Sequence, residues 1–250
     1  MSEWYETFFD ALAFDVWRNL AGPEMSDSEA GFLLRQLCST DGRRFLDVPC
    51  GDGRLALRFA AAGHEVVGVD LSGVAIDRLR QDAASTAAPV IGRVGDMRHL
   101  GDALDGVDPF DGAWCMGNSF GYLNSTDTMV FLDDLSAALR VGARFVLDAA
   151  MAAEAVLPQA GGRDRYEAEG AVLTNVHSYD VRQSTMVTDM TLEFGERKAQ
   201  RIVRHRVLTC REIVESLERS NLTVDEIFAG LDGEPFTLGS PRCLIVTTRR

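Results

Sequence analysis

From Arg43 onward the chain repeats one pattern: a short apolar run, a glycine- or serine-bearing turn, then residues at helical spacing. Arg43–Val48, His64–Val69 and Val90–Val94 read as strands, with helices predicted from Arg54 and after Ser72. A strand at Asp111–Met116, a helix through Leu132, Leu135 and Leu139, and a strand at Ala143–Asp148 continue the series. Strands that alternate with helices pair through crossovers, which makes the sheet parallel and covers both of its faces.

After residue 150 the rhythm changes. Tyr166–Glu169, Val172–Tyr179, Thr185–Phe194 and Ala199–Leu208 follow one another with no helical stretch between them, so residues 160–208 read as an antiparallel insertion. A helix at Arg211–Arg219 and strands at Leu222–Ala229 and Cys243–Thr248 complete a seven-strand α/β layer. Ahead of the sheet, Trp4, Tyr5, Phe8, Phe9, Leu12, Val16 and Trp17 predict one helix over residues 2–20 with a wide aromatic face. Ser26 and Glu29 have the S-x-x-E form of a capping box before Phe32, Leu33, Leu34 and Leu37. A second helix is expected from there to the Ser39-Thr40-Asp41-Gly42 turn. The expected organisation is one domain over 1–250, with a helical lid at 1–40.

Lys+Arg of 25 against Asp+Glu of 38 gives a formal net charge of −13, which repels nucleic-acid phosphates and anionic lipid surfaces and favours small cationic molecules. Nucleic acid and membrane are therefore not expected partners. The five cysteines, at 38, 50, 115, 210 and 243, have no close pairing, which argues against a disulfide framework and a zinc site. Ser2, Glu3 and Glu6 stand where a secretory leader would be basic and then apolar, so a cytoplasmic location is expected.

Chemistry concentrates in the first crossover. Asp47-Val48-Pro49-Cys50-Gly51-Asp52-Gly53-Arg54 joins the first strand to a helix through glycines that let the backbone turn sharply beside a ligand, and Asp70 closes the next strand. A nucleoside cofactor with its ribose held by a carboxylate fits both features. Gly51-x-Gly53-x-x-Ala56 also satisfies the dinucleotide fingerprint, so NAD has to be weighed against S-adenosylmethionine (SAM). A pyrophosphate over this turn would be opposed by Asp47 and Asp52, whereas SAM offers an ammonium and a sulfonium that such carboxylates attract. Charge favours SAM and leaves NAD open.

On these motifs the chain resembles the class I SAM-dependent methyltransferases over most of its length. Their turn is typically D-x-G-x-G-x-G, and Pro49 replaces its first glycine here. The resemblance implies a Rossmann-like, seven-stranded, mostly parallel sheet with flanking helices and the antiparallel β insertion. It implies SAM as cofactor and S-adenosylhomocysteine as product. In this frame Asp47, Gly51 and Gly53 line the methionine end and Asp70 binds the ribose, with Pro49, Cys50, Arg54 and Leu71 as further cofactor-binding residues. Asp96 and Met97 hold the adenine, and Met116 in Met116-Gly117-Asn118-Ser119-Phe120 faces the transferable methyl. The aromatic N-terminal helix and the insertion are similar to small-molecule N-methyltransferases acting on amino sugars and lincosamide-type antibiotics. An amine acceptor is thus expected, with O-methylation and C-methylation as alternatives.

Tyr5 is the expected positioning residue, Phe120 a wall of the methyl site, and Trp17 a cofactor contact. His177 and His205 lie in the insertion as candidate bases, His205 ranking first, and no Asp-His dyad is evident at short spacing. Arg197, Lys198, Arg201, Arg204 and Arg206 read as a solvated strand face, with an oligomer contact through the insertion as the second reading. Asp102, Asp105, Asp108 and Asp111 lack the Ca²⁺-loop pattern, and no metal site is expected. Two other classes stay open at this point: an NAD-dependent oxidoreductase and a non-catalytic SAM-binding protein.

Overall fold

A computed structural model describes residues 3–38 and 43–250. The elements in chain order are α1 (Tyr5–Phe8), α2 (Ala11–Leu20), α3 (Pro23–Leu37), β1 (Arg44–Asp47), α4 (Ala56–Ala61), β2 (Glu65–Asp70), α5 (Gly73–Thr86) and β3 (Val90–Val94). They continue with α6 (Leu100–Ala103), β4 (Phe110–Cys115), α7 (Ser125–Ala138), β5 (Leu139–Asp148) and α8 (Ala153–Val156). The insertion is β6 (Arg163–Ala168), β7 (Ala171–Asp180), β8 (Thr185–Phe194) and β9 (Arg197–Arg206), followed by α9 (Cys210–Arg219), β10 (Leu222–Phe228) and β11 (Leu244–Arg249).

Seven strands form one sheet in the order β10-β11-β5-β4-β1-β2-β3. β11 alone runs antiparallel to its neighbours β10 and β5, and the β1, β2, β3, β4 and β5 pairings are parallel. Strand order reverses between β1 and β4, so the crevice for a ligand opens at their carboxyl ends. The sheet is buried on both faces. Leu46, Ala113, Phe145 and Leu147 pack with Phe131, Leu132 and Leu135 of α7, while Val66, Trp114 and Val146 pack with Phe32 and Leu33 of α3 and Phe59 of α4. The insertion is a separate four-stranded antiparallel sheet in the order β6-β7-β8-β9. Its Ala171, Leu173, Met190, Leu192 and Val203 pack against Phe8, Leu12, Ala13 and Val16 of the N-terminal helices.

Three sequence expectations change. The single helix over 2–20 is broken at Phe9, whose ψ is 71°, because Asp10 caps the next helix at the amide of Ala13 (3.1 Å). Arg201 of β9 fixes the break by pairing with Asp10 at 2.7 Å and donating to the Phe8 carbonyl. The second helix starts at Pro23 instead of the Ser26 capping box: Pro23 supplies a preset first-turn φ, and Glu29 is drawn away into ion pairs. The helix expected from Arg54 begins at Ala56. The Ser39-Thr40-Asp41-Gly42 turn lies outside the described residues.

Candidate active site

The β1 turn and the end of β2 are built as one unit. Gly51 N–H donates to Asp70 Oδ2 at 2.8 Å, Ser72 N–H donates to Asp70 Oδ1 at 2.8 Å, and Cys50 N–H donates to the Val69 carbonyl at 2.9 Å. Gly51 and Gly53 have φ of +56° and +82°. At Gly53 a β-carbon would also sit 2.1 Å from Leu79 Cδ1 of α5, so both conformation and space require glycine there. The cis bond at Val48–Pro49 takes the place of the first glycine.

Two buried acids sit at the carboxyl edge. Burial pushes the Asp70 carboxyl up to about 6, opposed by the two amides that favour its charged form. Burial pushes Asp47 well above the usual carboxylate range, with the charge of Arg54 pulling against it. Arg54 is itself committed to Glu29 at 2.5 Å, so the Asp47 charge is left without a counter-ion of its own. A buried carboxylate in that state is stabilised by a ligand that brings a cation. Asp70 keeps one lone pair on each oxygen beyond its amide partners, which suits two adjacent ribose hydroxyls. A buried acidic turn of this kind fits SAM and opposes a pyrophosphate.

Among the other expected cofactor residues, Cys50 is a buried wall against Ile76 and Leu79. Asp96 caps the short 3-10 turn Met97–His99 and accepts from Arg98 Nε at 2.8 Å. Met97 is buried beside Tyr5 and Leu46, and Leu71 packs on the same cluster. Met116 packs on the other sheet face with Trp114 and Phe59. Trp17 lies along the seam between α2 and the insertion, with its buried indole N–H unpaired.

The N-terminal helices close over this edge. Ser72 Oγ donates to the Phe9 carbonyl at 2.9 Å, and Arg98 joins Glu6 at 2.8 Å while lying 5.5 Å from the Tyr5 ring centre. Arg18 pairs with the buried Asp52 at 2.7 Å, and Phe14 Cε1 lies 3.7 Å from where a β-carbon on Gly51 would be. The aromatic-stripe reading overlooks Phe14 and Arg18, although their i, i+4 spacing puts them on one helix face. From the insertion, Arg197 pairs with Asp15 at 2.6 Å and Trp4 Nε1 donates to the Arg204 carbonyl at 3.0 Å. Arg206 donates to the Leu123 carbonyl at 3.0 Å. Arg197, Arg201 and Arg206 thus tie the insertion to the N-terminal helices and the body, while Lys198 and Arg204 stay exposed as the solvated-face reading has them.

These ties draw together a packed aromatic cluster, the chamber. Tyr5 stacks on Tyr122 at 5.7 Å, Trp4 meets Tyr122 edge-on at 4.8 Å, and the His205 ring lies 5.2 Å from Tyr122. Phe120, from the same 3-10 turn as Tyr122, is buried in the cluster that holds Tyr5. Burial pushes the Tyr5 hydroxyl up to about 12 and holds the His205 ring down to about 4, so both are neutral near pH 7. His205 Nδ1 is buried without a partner. His177 does have a carboxylate partner, Asp164 Oδ2 at 2.9 Å, which sequence spacing conceals because it forms across the β6–β7 hairpin.

Residues 45–142, the segment that carries the turn and both acids, match the family model of a methyltransferase domain. Matched curated proteins from Geobacillus sp. and Bacillus subtilis bear methyltransferase names, at 35% identity over 69 residues and 32% over 87. The ubiquinone biosynthesis O-methyltransferase of Alkalilimnicola ehrlichii is 34% identical over 112 residues, 43% of this chain and 44% of that protein. The match thus spans between 24% and 44% of the length of these relatives. The fold as a whole is shared with the CcbJ methyltransferase of Streptomyces caelestis (TM-score 0.78, 21% identity, 94% of each chain). It is shared too with the SAM-bound amino pentose methyltransferase CalS10 of Micromonospora echinaspora (TM-score 0.72, 20% identity, 98% of this chain and 99% of that one). The sugar N-methyltransferase KedS8 of Streptoalloteichus sp. gives 0.70 at 18% identity, over 98% of this chain and 96% of that one.

Proposed function

We propose that the chain is a SAM-dependent methyltransferase acting on an amine nitrogen of a small acceptor. The observation that carries the reading is the pairing of a buried acidic turn, Asp47 and Asp70, with the packed aromatic cluster of Tyr5, Trp4, Tyr122 and His205. Bound SAM supplies a methyl group already activated on a sulfonium. Asp47 holds the ammonium of the methionine end, Asp70 the ribose hydroxyls and Asp96 the adenine amine. The protein's remaining task is alignment and exclusion of water, since in-line displacement asks for little covalent help.

Tyr5, a neutral hydroxyl beside an aromatic stack, orients an incoming amine through that hydroxyl. Phe120 backs the chamber, and Trp17 braces the N-terminal helices against the insertion. The amine attacks in its neutral form, and its proton leaves to water, because burial makes His205 too weak a base to take it. An amino-sugar-like acceptor, natural-product biosynthesis, a cytoplasmic setting and self-association through the insertion belong to the same reading. The similarity to sugar N-methyltransferase folds supports it. O-methylation is the second reading, favoured by the similarity to a ubiquinone biosynthesis O-methyltransferase over 112 residues.

The test is release of S-adenosylhomocysteine from SAM with primary and secondary amines offered beside matched alcohols. Turnover with amines alone is expected; turnover with alcohols alone would overturn the nitrogen assignment. Absence of SAM binding would overturn the whole reading.

A further inference from the structure

The inward face of the insertion sheet changes character along its length. At the lid end it is apolar, with Ala171, Leu173, Met190 and Leu192 under α2. Towards the other end the side chains on that face become Asn175 and His177 of β7, Thr188 and Met186 of β8, and His205 of β9. Register places them: Asp164 of β6 opposes Asn175, His177 opposes Thr188, and Met186 opposes both Tyr179 and His205.

Polar groups on a buried face need partners. His177 has two, Asp164 Oδ2 at Nε2 and Thr188 Oγ1 at Nδ1, each at 2.9 Å, and this fixes the ring and with it the carboxylate. Asn175 is 7% exposed with its Oδ1 buried and unpaired, and His205 is 8% exposed with Nδ1 unpaired. The free positions are the Asn175 oxygen, the other Asp164 oxygen and an imidazole nitrogen, a set dominated by acceptors. Directly opposed residues have β-carbons about 4.5–5.5 Å apart, close enough for Asp164 and Asn175 to take two neighbouring donors of one ligand. With strands about 4.8 Å apart, β7 and β9 are separated by about 10 Å, the span of one substituted six-membered ring.

We propose that Asp164, Asn175 and His205 form an acceptor-binding subsite for a polyhydroxylated amine, in which His177 is a positioning residue. Asn175 Oδ1 and Asp164 accept from hydroxyl groups of the acceptor, and His205, beside Tyr122, takes the end nearest the chamber. The insertion thereby selects donor-rich acceptors over apolar amines. This inference rests on the methyl-transfer reading of the chamber.

The experiment is a calorimetric titration of the full chain, saturated with S-adenosylhomocysteine, with two probes: glucosamine, and cyclohexylamine as the ring without hydroxyls. Glucosamine is expected to bind at least tenfold more tightly. Asn175→Leu is expected to erase that preference while leaving S-adenosylhomocysteine affinity unchanged. Asp164→Ala, a half-exposed position on an edge strand, keeps the test available if the buried variant misfolds, and it is expected to weaken glucosamine at least fivefold. His177→Ala should match it, with the double variant no weaker than either single one, as a residue acting through Asp164 requires. Equal binding of the two probes, binding of neither, or an unchanged preference in both Asn175→Leu and Asp164→Ala would overturn the subsite. Failure of the wild-type chain to bind S-adenosylhomocysteine at all would instead overturn the methyl-transfer reading on which it rests.

Discussion

The β1–β2 turn, the proposed cofactor cradle, and the aromatic cluster, the proposed acceptor chamber, are assembled in opposite ways. The cradle is made by backbone: two glycines at positive φ, two amide hydrogen bonds into Asp70, and strand ends brought together by parallel pairing, all within residues 45–96. The chamber is made by side chains from three remote stretches, the N-terminal helices, the turn after β4 and the insertion. A backbone cradle tolerates little substitution, while a side-chain chamber can be re-lined without disturbing it. One half should therefore respond to mutation through cofactor affinity or folding, and the other through acceptor selectivity.

The largest expected effect falls on the cradle. Hydrogen bonds to a charged group contribute about 1.5–3 kcal/mol each, so with Asp70 holding two ribose hydroxyls as proposed, Asp70→Ala should raise the S-adenosylhomocysteine Kd about 100-fold or more, measured by calorimetry. Gly53→Ala comes next, combining a left-handed φ with a β-carbon 2.1 Å from Leu79; it should lower stability by about 2–4 kcal/mol in a denaturant titration. A well-tolerated Gly53→Ala would break the claim that this turn is backbone-limited.

On the chamber side, Trp4→Ala removes edge contacts to Tyr5, Phe8 and Tyr122, each aromatic pair contributing about 0.5–1.5 kcal/mol. Acceptor KM should rise about tenfold, with S-adenosylhomocysteine affinity changed less than threefold. A loss of cofactor affinity as large as that of Asp70→Ala would erase the distinction between the two regions.

The pH response sharpens it further. The folded pKa of Asp70 is raised by burial to about 6, so the free protein is relieved of a buried charge as pH falls through 6 towards the ordinary value of 3.8. The ligand needs the ionised form. S-adenosylhomocysteine affinity should fall between pH 7 and pH 5 as the stability of the free protein gains from this group, and Asp70→Asn should flatten both trends. The smallest effect is expected at Asp15→Asn, which frees Arg197 and Arg78 at half-exposed ion pairs: about 0.2–1 kcal/mol of stability, weakened further by salt.

The same contrast explains what could be read from the chain. β3 and β8 fall at their expected residues, and the other strands differ by a few positions at their ends, because their apolar runs and turn glycines are local signals. The cradle was legible for that reason: Asp47, Gly51, Gly53 and Asp70 are spaced by the crossover itself. Tyr122, Phe14, Arg18 and the Asp164–His177 pair were not, since their meeting depends on how the lid and insertion dock, which no single window encodes. Glu29 shows the opposite error. Its S-x-x-E context is a sound local signal, overruled by Arg54 and Arg242, which arrive from 25 and 213 residues away.

The central claim is that the acidic turn is built for an adenosyl sulfur cofactor and against a dinucleotide. Parallel calorimetric titrations of the full chain with S-adenosylhomocysteine and with NAD test it most directly. The account predicts saturable S-adenosylhomocysteine binding that Asp70→Ala removes, with no heat from NAD. Saturable NAD binding with no response to S-adenosylhomocysteine would contradict it.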